Sequence, residues 1–264
     1  MQSEWLYGTR EWTIYVLSIV ILLGCDEVGY RVGLRFHARE KSITLPLISA
    51  LRASTLGLLS LLIGFTFSMA LTRFEARKAL VLEEANAIGT TSLRARLLPE
   101  PYATEARRLL RTYVDVRLSF ERNSTDKEKL DPAIEESLNL HEQLWRQATA
   151  ASALQPLSVP TGLFVQALNE TIDLHEKRLS SLRSHVPEAS FLLIYLIAFV
   201  GLGFTGYDCG LHETRHRLPN AVISVLIASV IITIVDFDRP LNGLITVSDQ
   251  PLVDLQKSLA SEPK

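Results

Sequence analysis

The chain has 264 residues, with 27 Lys and Arg against 29 Asp and Glu and a formal net charge of -2. Hydrophobic residues make up 47% and charged residues 21%, and a mean hydropathy of +0.18 is high for a protein that must coat itself in water. This balance excludes a disordered or fibrous chain and offers no global attraction for nucleic acid. Two cysteines without a C-x-x-C spacing exclude a disulfide framework and a cysteine zinc site.

The apolar residues are clustered, and the clusters set the class. The first uncharged run, residues 12–25, is short for a ~30 Å hydrocarbon layer, so a span over 11–30 has to extend past Asp26 and Glu27. A secretory signal is the competing reading. The acidic flank of Glu4 and Glu11 and the lack of an A-x-A site after Gly24 argue against it. Trp5, Tyr7, Trp12 and Tyr15 then become interfacial aromatics.

Residues 53–71 contain no charge and meet the length needed to cross a bilayer as a helix. The pattern passes directly into Phe74, Val81, Ala85 and Ile88 on one helical face, with neither Gly nor Pro before Gly89. One long helix is predicted, shared by a span and a polar region. That polar region, 72–188, holds more than half of the charged residues and reads as a soluble helical bundle. Its apolar seams are Leu109, Leu110, Val114 and Phe120; then Ile134, Leu138, His141 and Trp145; then Phe164, Leu168, Ile172, His175 and Leu179. Turn signals near Pro99 and Pro101, from Asn123 to Pro132, and from Pro156 to Pro160 divide the helices.

Residues 191–207 and 218–235 are again charge-free and supply the third and fourth spans, leaving 236–264 as a juxtamembrane tail. The expected class is an all-α membrane protein with four transmembrane helices and a helical bundle between spans two and three. Both termini and the bundle then share one side of a bacterial inner membrane. Arg31, Arg35, Arg39, Lys41, Arg52, Arg215 and Arg217 lie in the two short connections, against Arg10 in the N-terminal tail. The positive-inside rule therefore leans toward an outside bundle. The margin is narrowed by Arg73, Arg77, Lys78, Arg178, Arg183 and Arg239, which flank spans on the bundle side.

Several residues are candidates for chemistry. Ser60, Gly64 and Ser68 recur every four residues along span two, a spacing that suits close helix packing or the wall of a conduction path. Ser229 and Thr233 continue to Asp236 as a polar stripe on span four. Asp236 and Asp238 sit at the end of that span, where a carboxylate needs a partner or a task. They are read either as ion-pair partners of Arg73 or Arg77 or as an acidic vestibule at a pore mouth. Glu83, Glu84 and Asn86 are weak oxygen ligands for a hard metal ion, against a plainer reading as hydrated or salt-bridged groups. His141 and His175 read as core histidines, and Cys25 and Cys209 as small buried groups, although a disulfide between them is geometrically conceivable. The sequence GLGFTG from Gly201 matches G-x-G-x-x-G but lies inside an apolar span without a βαβ context, so it reads as helix packing rather than nucleotide binding. No catalytic motif or cofactor signature is present, and neither an enzyme nor a bound cofactor is expected.

The stretches EANAIGT from Glu84, YVDVR from Tyr113, DFDRPLNG from Asp236 and ITVS from Ile245 resemble the bestrophin-like domain family of bacterial membrane proteins. The resemblance runs from about Leu58 to Leu255. It implies a similarity to bestrophins, pentameric anion channels with four spans per subunit and cytosolic helices between the second and third. It therefore implies a homo-oligomer, conceivably a pentamer, in the lipid bilayer, with inorganic ions as partners and span two as the pore helix. The Ile-Pro-Phe neck of bestrophins is absent from that helix, and bestrophin topology puts the bundle on the side opposite to the charge count. Unpaired Asp236 and Asp238 would favour cations over anions. The alternative function is a non-conducting scaffold or sensor whose bundle binds a protein partner, and a distant third is metal-assisted hydrolysis by Glu84, Asp236 and Asp238.

Overall fold

A computed structural model describes residues 11–37, 44–122, 127–239 and 243–261. Glu4, Trp5, Tyr7, Arg10, Arg39, Lys41, Asn123 and Pro240 lie outside the described residues. Among those described, the elements are all α-helices: α1 (Glu11–Phe36), α2 (Thr44–Ala95), α3 (Tyr102–Arg122), α4 (Lys127–Leu154), α5 (Val159–Arg183), α6 (Glu188–Leu211), α7 (Arg217–Asp238) and α8 (Gln250–Ser261). The chain divides into two units, Met1–Thr72 with His185–Arg239, and Arg73–Ser184 with Pro240–Lys264.

The first unit contains the four predicted spans, all on helices long and apolar enough to cross a membrane. Their common core joins Leu22 of α1, Leu59 of α2, Ile194, Ala198 and Leu202 of α6, and Ala228 and Ile231 of α7. Outward, Leu192 is 73% and Phe65 64% exposed, an arrangement that water penalises and hydrocarbon does not. Helix α1 continues beyond the span expected over 11–30 to Phe36, and the acidic residues within it are satisfied. Asp26 accepts from Asn220 Nδ2 at 2.8 Å, and Glu27 accepts from Arg31 at 2.8 Å and Arg215 at 2.6 Å.

Helices α1 and α6 cross at backbone contact distance. A Cβ at Gly206 would run into the carbonyl oxygen of Asp26, one at Gly210 into that of Tyr30, and one at Gly29 into that of Gly203. The GLGFTG element is thus a packing surface, as its apolar setting predicts. The load falls on Gly206 and, further on, Gly210, because a Cβ at Gly203 itself would meet nothing.

The second unit closes around Val81, Ala85 and Ile88 of α2, Leu109, Leu110, Tyr113 and Val114 of α3, Leu140 and Leu144 of α4, and Phe164 and Leu168 of α5. Local signals explain its helix ends. Ser158 caps α5, its hydroxyl oxygen accepting from the Thr161 backbone N–H at 3.4 Å, and a proline occupies the first turn, where no N–H is needed. Pro132 departs from expectation: it lies inside α4 rather than in the preceding turn. So near the helix start it forfeits a single intrahelical bond. The buried face of α4 is also rotated from the predicted seam, to Leu140, Leu144, Ala148 and Ala151, leaving Leu138 and Trp145 exposed. Small alanines permit close helix approach there, whereas the large Leu and Trp had weighted the sequence pattern. Helix α8 returns to this unit, burying Leu252 and Leu259, placing Leu255 against Gly89, and donating from Gln256 Nε2 to Asp115 at 2.6 Å.

Candidate functional site

The exposed face of α2 carries the strongest candidate. At 100° per residue, Gly57, Ser60, Gly64 and Ser68 fall within one narrow sector, and all four are exposed. Buried Leu59, Thr66 and Ala70 mark the opposite side. A Cβ at Gly57 or Gly64 would meet nothing within 4 Å. Small residues on this face are therefore not required by packing within the protomer, in contrast to Gly206. Ser60 returns its hydroxyl to the Leu56 carbonyl at 3.0 Å, which conceals its donor from lipid while leaving its oxygen as an acceptor. Gly57 was missed in the sequence, although it extends the four-residue repeat with a single three-residue step.

The α7 candidates sit differently. Ser229 is half-buried and shares a 3.0 Å hydrogen bond with the Tyr15 hydroxyl of α1, and Thr233 donates to the Ser229 carbonyl at 2.8 Å. Asp236 is 4% exposed and Asp238 fully buried. Asp238 Oδ2 accepts from the Val186 backbone N–H at 2.8 Å and lies 3.7 Å from His185 Nδ1, so this carboxylate braces the chain entering α6. A further polar tie unremarked in the sequence joins α2 to α6: Arg52 donates to Asp208 at 2.6 Å, with Ser49 at 3.3 Å. Cys25 and Cys209 are both free.

In the second unit, Arg73 donates to Ser184 Oγ at 3.4 Å, and Arg77 is 4% exposed. Glu84 is separated from its two companions. Glu83 and Asn86 are exposed, whereas Glu84 is fully buried among cations and hydroxyls. Its carboxylate lies 2.9 Å from Arg117 Nε, accepts from Arg178, and receives the Tyr113 hydroxyl at 3.0 Å. Burial alone would raise its pKa, but the charges of Arg117 and Arg178 outweigh it and hold Glu84 at about 2. No third metal-ligating group joins it: among the described residues no three His, Cys, Asp or Glu side chains gather as a metal site.

Tyr113 also reaches His175 Nδ1 at 3.2 Å, and His141 packs edge-on to His175 with ring centroids 5.0 Å apart. Burial disfavours the imidazolium, helped by Arg117, and lowers His175 to about 3 and His141 to about 4. Burial, followed by the Glu84 charge, raises the Tyr113 phenol well above its ordinary value. The assembly is a neutral aromatic shell around a fixed ion triad, suited to rigid packing rather than to proton transfer near neutral pH.

A model of the Bestrophin-like domain family matches residues 21–252. Among solved structures, a substituted form of a bacterial bestrophin homologue from Klebsiella pneumoniae aligns with a TM-score of 0.64 at 13% identity, covering 92% of this chain and 97% of that one. A second structure of that homologue gives 0.64 at 14% identity, with 96% and 100% covered. Both are similar to this chain in fold. None of the curated proteins matches the chain.

Proposed function

The chain belongs to the bestrophin-like domain family, and from that premise we propose that it is a homo-oligomeric ion channel whose axial path is lined by α2. The observation that carries this reading is the exposed, small-residue face of Gly57, Ser60, Gly64 and Ser68, where a Cβ added at either glycine would meet nothing within 4 Å. Around a symmetry axis such a face keeps side chains out of the lumen and turns serine oxygens toward ions. Ser229 then serves the α1–α7 contact and Thr233 bonds within its own helix, so both take a secondary part. The carboxylate of Asp238 is committed to the start of α6, which favours bracing over a cation-selecting vestibule. The protein resides in the bacterial plasma membrane, with the short connections cytoplasmic, as the Lys and Arg count favours.

Reconstitution of the purified protein in liposomes tests the proposal. Flux of small ions is expected in vesicles that contain verified oligomers. Zero flux for anions and cations alike would remove the channel and leave the scaffold reading.

A further inference from the structure

A groove of about 700 Å³ runs along the α1–α6 pair in the first unit, walled by Val28, Val32 and Phe36 of α1 and by Phe199, Val200 and Phe204 of α6. Val28 is 62% and Val200 43% exposed, so the groove opens outward from the protomer. Its floor is glycine. A Cβ at Gly29 would collide with the Gly203 carbonyl, whereas a Cβ at Gly203 would meet nothing within 4 Å. The close approach of the two backbones sets the walls, and the missing side chain at Gly203 leaves the room between them.

The place of the groove along the spans points to its occupant. The charge-free run of α6, 191–207, is centred on Phe199, and the α6 lining extends from there to Tyr207, the last residue before Asp208. At ~1.5 Å per residue that is about 12 Å, close to half of a ~30 Å hydrocarbon layer. The groove therefore reaches from the bilayer centre to one surface, the course of a single acyl chain. Its α1 wall ends at Phe36, where the protein surface carries an excess of cations. Over 26–36, 49–52 and 208–217, segments tied together by Glu27–Arg215 and Arg52–Asp208, five arginines stand against four carboxylates. Arg35, exposed three residues beyond Val32 on the same side of α1, forms no ion pair among the described residues. Apolar contact alone cannot select one phospholipid from another, because the bilayer is as apolar as the groove. Charge at the surface can, and here it favours an anionic headgroup.

We propose that this groove holds one acyl chain of an anionic phospholipid, with the headgroup at Arg35. The inference does not depend on conduction, and its test reads lipid binding alone. Full-length protein, delipidated in detergent, is titrated with phosphatidylglycerol or phosphatidylcholine, and bound lipid is counted by native mass spectrometry. Phosphatidylglycerol is expected to bind saturably and about fivefold more tightly than phosphatidylcholine, as for one surface arginine. Arg35→Gln removes that preference and leaves phosphatidylcholine binding unchanged. Gly203→Leu fills the groove from its floor and Val32→Phe from its α1 wall; each weakens both lipids by about tenfold or more, with the oligomer intact. Val20→Phe, which enlarges an exposed side chain of α1 outside the groove, binds lipid like the wild type. Equal affinity of the wild type for the two lipids, undiminished binding in both filling variants, or an equal loss in Val20→Phe overturns the proposal. If the filling variants instead dissociate the oligomer, a neighbouring subunit occupies the groove and the lipid assignment falls.

Discussion

Gly64 and Gly206 are both glycines in apolar helices, yet opposite outcomes are expected when each gains a side chain. Gly64→Ala adds a Cβ that meets nothing within its protomer. Helix propensity alone then acts, and the variant gains up to about 1 kcal/mol of helix stability. Gly206→Ala drives a Cβ into the Asp26 carbonyl of α1, a backbone atom that cannot rotate away. Overpacking of that kind costs about 1–3 kcal/mol. Thermal unfolding in detergent should therefore separate the pair in sign. Gly64→Leu carries the reasoning to function: an isobutyl group from every subunit would crowd the axis and cut liposome flux by about tenfold or more, with the oligomer intact. If Gly64→Leu oligomers conduct like wild type, the face does not line the path. If the oligomer instead falls apart, the strip is a subunit contact and the lining role fails.

Glu84→Gln should destabilise the second unit by about 3–5 kcal/mol, because it removes the buried negative charge that Arg117 and Arg178 share. Exposed Glu83→Gln should stay within about 0.5 kcal/mol; equal thermal midpoints for the two variants would refute the network's importance. Acidification should lower stability in two stages. His175 and His141, at about 3 and 4 when folded against 6.5, take up protons first in the unfolded chain, so stability falls as pH drops below about 6.5. Glu84, depressed to about 2 from 4.5, contributes above pH 4.5 and loses that contribution as pH falls toward 2. A thermal midpoint that stays level from pH 7 to pH 4 would contradict the histidine assignment. For topology, a cysteine replacing exposed Glu142 should react with an impermeant thiol reagent in intact cells, and one replacing Arg35 should not; the reverse pattern places the bundle inside.

The spans were readable because a charge-free run of membrane length is hard to reconcile with a helix that faces water, and the long α2 because nothing in 53–88 combines a helix breaker with a polar turn. The continuation of α1 from 30 to Phe36 was not; a span passing Asp26 and Glu27 was expected, but the groups that satisfy them, Asn220 and Arg215, come from distant sequence. Glu84 shows the same limit more sharply. Its neighbours suggested an oxygen cluster, but its true partners lie 33 and 94 residues away. In GLGFTG, the packing role followed from apolar context alone, whereas the choice of Gly206 over Gly203 depends on helix rotation that spacing does not encode. The small face of α2 was visible as a repeat, and only the absence of neighbours around Gly57 and Gly64 distinguishes it from an internal seam.

The return of α8 to the second unit has a consequence for biogenesis. Its Leu252 and Leu259 complete a core begun at Val81, so the lobe is assembled from pieces separated by α6 and α7. When the ribosome has made Ser184, about 70 residues must still be translated before Leu252 emerges, a delay of roughly 4–14 s at ~5–20 residues per second. Both later hairpin helices enter the bilayer during that interval. The nascent lobe meanwhile exposes an unfinished apolar seam, which makes this stage of synthesis the natural point for chaperone capture and for proteolytic disposal of chains whose insertion stalls.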